Sequence, residues 1–111
     1  MKKEIKTWLE DIKQSIEEIE LFLSPKRNFI EFQNDLKTRK AVERNIEIIG
    51  EAVNRILKVD PSFKITNARR IVDTRNRISH GYDTISIDII WAIAVKDLKN
   101  LYIEIKKILE E

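Results

Sequence analysis

The chain has 111 residues, 36% of them charged, with a net charge of +2, no cysteine and one histidine. That length can bury a real core. The missing cysteines exclude a disulfide framework and a thiolate metal site. A single histidine excludes a histidine-rich metal site within one chain, although carboxylate sites for Mg²⁺ stay open. The charges nearly balance, so most of them read as solvated helix faces. The pI of about 8.9 tolerates a polyanion without demanding nucleic acid. No stretch approaches the ~20 apolar residues of a membrane span. The opening MKKEIKTWLEDIKQ lacks the apolar core of a secretory signal. No membrane association is expected, and the expected location is cytoplasmic.

Two glycines and two prolines leave few breakers, which favours long helices. Ile5, Trp8, Leu9, Ile12, Ile16, Ile19 and Phe22 or Leu23 recur at three and four, the stripe of a first helix. Ser24-Pro25 ends it, since proline cannot donate to the ladder. Asn28 to Phe32 reads as a short link or opening turn. Asn28 and Glu31 have the spacing of a capping box there. A second helix then runs to about Lys58 on Leu36, Val42, Ile46, Ile49, Val53 and Ile56. Ala41, Ile48 and Ala52 widen its stripe. The wide arc fits either a well-buried central helix or a face for a second subunit.

Asp60-Pro61 starts a turn, and Phe63 and Ile65 should pin the connection to the core. A short third helix begins after Thr66 or Asn67, both acceptable N-caps. Ala68, Ile71, Val72 and Ile78 form its buried side. Asp73 and Arg77 are spaced for an intrahelical ion pair. Gly81 suits the C′ position of this helix. Ser86 is a candidate N-cap for a fourth helix, with Asp88 in its first turn. That helix carries Ile87, Ile90, Trp91, Ala94, Leu98, Leu101, Ile105 and Ile108. Trp8, Trp91 and Tyr102 sit among aliphatics at helical spacing and read as core. The expected fold is therefore all-α, an antiparallel four-helix bundle with a short third helix.

The segment Asp73-Thr74-Arg75-Asn76-Arg77-Ile78-Ser79-His80-Gly81-Tyr82-Asp83 gathers the residues able to do chemistry. His80 falls in the last turn of the third helix. Asn76 shares its face, and Arg75 flanks it at roughly 140°. Histidine exchanges protons near neutrality, and the arginine fork suits phosphate oxygens. Together they are the minimum kit for breaking a phosphodiester bond. A histidine in a last turn is also a plain helix cap favoured by the dipole.

Arg75-x-x-x-x-His80-x-Tyr82, set in RNRISHGY, resembles the signature of the HEPN superfamily, and more narrowly of the HepT toxin family. The run Arg44-Asn45-Ile46-Glu47-Ile48-Ile49-Gly50-Glu51-Ala52 resembles that family's second helix. The likeness spans roughly Ile5 to Leu109. It implies one HEPN-like domain over residues 1–111. It implies the toxin of a type VII HepT/MntA-like toxin–antitoxin system, a metal-independent endoribonuclease that cuts tRNA or mRNA without a cofactor. Arg75 and His80 would be catalytic, with Arg75 on the scissile phosphate and His80 as general acid/base. Asn76 would orient the histidine or the phosphate. Tyr82 would be the site where a cognate MNT-type nucleotidyltransferase attaches AMP and silences the enzyme. Tyr82 could also pack on the third helix as its C″ contact.

The chemistry itself asks for a second copy. Cleavage by the RNA's own 2′-hydroxyl needs a base and an acid, and one chain offers one histidine. A symmetric homodimer supplies two. Two other classes remain open on the sequence: a non-catalytic helical partner of a minimal nucleotidyltransferase, binding nucleotide or protein, and a dimeric bundle with structural duties only.

Overall fold

In a computed structural model, the structure describes residues 1–23, 28–80 and 86–110, with His80 described by its backbone alone. Helix α1 is Lys3–Leu23, α2 Phe29–Asn34, α3 Leu36–Val59 and α4 Ala68–His80. Helix α5, Ile87–Ala92, passes through a π-helical turn, Ile93–Asp97, into α6, Leu98–Glu110. No strand occurs among the described residues. The terminator Ser24-Pro25 and the C′ residue Gly81 lie outside the described residues.

The apolar stripes make the core. Leu9, Ile12 and Ile19 of α1 meet Val42, Ile46, Ile49, Val53 and Ile56 of α3 in full burial. Ile93, Leu98 and Ile105 close the interior from the last helix. Neighbours run antiparallel. Along α1 and α3, Ile5 lies near Val59 at one end and Leu23 near Thr38 at the other. Between α1 and α6, the Tyr102 hydroxyl donates to Glu17 Oε2 at 2.7 Å. Between α4 and the last helix, Arg70 pairs with Asp97 at 3.5 Å. The four long helices thus form the expected antiparallel bundle, and the 13-residue α4 is the short third member.

Three local readings change. The expected link at Asn28–Phe32 is itself helical. Asn28 caps it, its side chain accepting from the amides of Ile30 and Glu31 at 2.9 and 3.2 Å. Phe29 and Phe32 clasp Trp91, with ring centroids 5.9 and 5.2 Å away, and hold α2 against α5. The second long helix begins after it: Asp35 caps α3 by accepting from the Thr38 amide at 3.0 Å, and α3 runs unbroken to Val59. Leu36, first residue after that cap, is 58% exposed and leaves the stripe.

The π turn is the second change. It adds a residue to one turn of what the sequence reads as a regular helix, and Ile93 and Ala94 are both buried there. Third, Asp73 and Arg77 are both exposed and form no ion pair with each other. An exposed pair gains little over solvation.

The Tyr102–Glu17 bond ties α6 to α1 and is pH-dependent. It holds the Glu17 carboxyl below its ordinary range, chiefly through the phenol. It raises the Tyr102 phenol, chiefly through the carboxylate. The Glu17 contribution is present above the ordinary carboxylate range and lost as pH falls through its lowered value. The Tyr102 contribution is present below the ordinary phenol range and lost as pH rises through its raised value. Tyr102→Phe should therefore lower the melting temperature slightly at neutral pH. The difference from the parent should vanish in acid and in strong alkali, as a pH series of thermal melts would show.

Candidate active site

Helix α4 is poor in apolar residues and is held by its neighbours. Among its described side chains only Ile71 and Thr74 are buried, with Ala68, Val72, Arg75, Asn76 and Ile78 half-buried. The Thr74 hydroxyl is satisfied within the helix, donating to the Arg70 carbonyl at 2.8 Å. At the N-terminal end, Glu104 of α6 takes both the Thr66 amide and the Thr66 hydroxyl, at 3.0 and 2.8 Å. Thr66 thus serves as an anchor. Asn67 enters the helix with φ of 60°, a conformation asparagine tolerates better than most residues. One turn into the helix, Arg70 reaches Asp97 at the end of the π turn. At the C-terminal end, the Ser79 hydroxyl donates to Glu47 Oε2 of α3 at 3.0 Å.

Between these anchors α4 lies hard against α3. The contact centres on Gly50, in the middle of α3. A Cβ at Gly50 would overlap Arg75 Cβ, and would lie 2.9 Å from Arg75 Cγ and 3.1 Å from the Ile71 carbonyl oxygen. Glycine inside a helix destabilises it by about 0.5–1 kcal/mol relative to alanine. Here the close approach of the two helices offsets that penalty.

Arg75 therefore leaves α4 with its base lodged against α3. Its head is also held, since Nη1 donates to Asn76 Oδ1 at 2.8 Å. This bond differs from the expected ones between Asn76 and the histidine or a phosphate. His80 is the last residue of α4, so Arg75, Asn76 and His80 belong to one rigid helix. The imidazole of His80 and all of Tyr82 lie outside the described residues. No cluster of three or more potential metal-ligating side chains occurs among the described residues. No helix there is long and apolar enough to cross a membrane.

Residues 12–108 match the family model described as ribonuclease HepT-like. The chain belongs to that family of HepT-like ribonucleases. It is 32% identical over 114 residues to a protein of Methanocaldococcus jannaschii named as a candidate RNase, covering 99% of this chain and 91% of that one. It is 34% identical over 105 residues to a candidate ribonuclease HepT of Thermococcus cleftensis, covering 91% and 92%. A candidate RNase of Caldanaerobacter subterraneus is 30% identical over 88 residues, 76% of each chain. No solved structure gives a significant match.

Sequence reasoning found the HepT-like motif but missed what holds it. Glu104, Asp97 and Gly50 carry no chemistry of their own and were not singled out as site residues. Of these, only Gly50 carried a signal: a lone glycine inside a helical stripe usually has a packing reason. Replacing Glu104 with alanine should free the start of α4. Two hydrogen bonds would be lost from a largely exposed setting, with an expected cost of about 1 kcal/mol in urea unfolding.

Proposed function

We propose that this HepT-like ribonuclease is the toxin of a toxin–antitoxin pair, a metal-independent endoribonuclease acting on tRNA or mRNA as a homodimer. The observation that carries the reading is the Arg75 head, held by Asn76 on the helix whose last residue is His80. In a family of ribonucleases, a fixed guanidinium on the helix that ends in the chain's one histidine, five residues later, supports a phosphodiester-cleaving set.

In each cycle the RNA's 2′-hydroxyl attacks the adjacent phosphorus. One imidazole takes the hydroxyl proton, and an imidazolium gives a proton to the departing 5′-oxygen. The products are a 2′,3′-cyclic phosphate and a 5′-hydroxyl. Because the chain has one histidine, acid and base come from the two His80 side chains of a symmetric pair. The Arg75 forks bind the phosphate and offset the charge that builds on its equatorial oxygens.

Regulation follows from the same chemistry. Tyr82 stands two positions after His80. AMP attached to its phenol by an MNT-type nucleotidyltransferase would add bulk and negative charge beside a site built for phosphate.

Purified protein should cut RNA in EDTA. Arg75→Ala and His80→Ala should each lower the rate by about a hundredfold or more. Undiminished cleavage by either well-folded variant would remove that residue from catalysis, and abolition by EDTA would remove the metal-free mechanism. Incubation with the cognate nucleotidyltransferase and ATP should add the mass of AMP and silence the enzyme. Tyr82→Phe should abolish both effects, whereas modification at another residue would refute the assignment.

A further inference from the structure

We propose that Gly50 of α3 is a positioning residue for the Arg75 guanidinium, working together with the Asn76 side chain. The inference rests on reading Arg75 as the phosphate clamp.

The argument begins at the root of the arginine. Arg75 Cβ is fixed to the α4 backbone, so no rotamer change can move it out of the space a Cβ at Gly50 would fill. Any other residue at position 50 must push the α4 backbone away from α3. The Ile71 carbonyl, one turn earlier on the same face, meets the same obstruction at 3.1 Å. A displaced α4 would carry the whole arginine with it, and would pull Ser79 away from Glu47, now 3.0 Å apart. Gly50 has an ordinary place inside α3, so its role lies in the space it leaves.

The head of the side chain is limited by a second, independent contact. Asn76 Oδ1 takes Nη1 at 2.8 Å. That leaves the other guanidinium nitrogens to face a ligand. A long side chain with several free torsions is thus pinned where it leaves the helix and again at its tip. Gly50 limits the first and Asn76 the second. A phosphate clamp gains from this because misplacing a catalytic group by an ångström costs far more in rate than in ground-state affinity.

The test uses the full-length protein and two readouts: cleavage of an RNA oligonucleotide, and binding of its non-cleavable 2′-O-methyl counterpart. Gly50→Ala should lower the cleavage rate by about tenfold or more. It should keep a cooperative melt, and binding of the analogue within about threefold of the parent. Asn76→Ala should behave alike. Parent-like cleavage by Gly50→Ala or by Asn76→Ala would overturn the proposal.

If Gly50→Ala does not melt cooperatively, the exchange Gly50→Ala/Arg75→Gly decides the steric part. Recovery of the melt supports the contact, and failure to recover refutes it. Arg75→Ala separates the two levels of the argument. Parent-like cleavage by that variant sinks the clamp itself. A dead Arg75→Ala beside an unaffected Gly50→Ala and Asn76→Ala sinks only the positioning role.

Discussion

Helix α4 reaches α3 closely at one place because Gly50 has no side chain, and the rest of the candidate site hangs on that approach. A 13-residue helix with few apolar residues gains little stability alone. Ile71 and Thr74, the two buried among its described side chains, cannot fix its rotation and its depth at once. The bonds at its ends complete the task. Glu104 holds the entry, Asp97 the first turn and Glu47 the exit. All three are carboxylates on other helices that accept from α4 or the residue leading into it. The functional helix is therefore carried by a scaffold that was stabilised elsewhere, in the aliphatic core between α1, α3 and the last helix.

Much of that scaffold was legible because burial imposes a period. Ile12, Ile16 and Ile19, or Ile46, Ile49, Val53 and Ile56, announce one helical face each, and those residues are buried. The boundary at Asp35 was harder to see. Leu36 looks like the next member of a stripe, and only the aromatic clasp on Trp91 shows that α2 turns away. The π turn left no mark at all. A stripe of Ile90, Ala94 and Leu98 reads as a regular helix, and the burial of adjacent Ile93 and Ala94 fits one too, as that of Ala52 and Val53 does in α3. Both departures arise from contacts between elements, which a period along one helix cannot encode.

The candidate site divides in the same manner. Arg75 and His80 were found from a local pattern, and the structure puts them on one helix as that pattern requires. Asn76 was recognised as polar and well placed, but its partner was not, because neighbouring side chains on a helix rarely meet and here the arginine folds back. Gly50 was visible only as part of a familiar run on another helix. Its meaning lies 25 positions away in the chain, at Arg75, and needs the two helices side by side.

On the proposed mechanism, this arrangement assigns different demands to the two halves of the site. The proton-transferring group must change charge during the reaction, and it lies at the end of a helix. The phosphate clamp keeps its charge throughout, and it lies in the middle of that helix, where the neighbouring α3 limits its motion most. If two copies pair about a symmetry axis, each arginine enters the shared cleft already oriented by its own chain. Assembly then has to set only how the two α4 helices face one another. A pair of floppy arginines would need the RNA to order them at every turnover, whereas arginines fixed by Gly50 and Asn76 meet the phosphate with that ordering already complete.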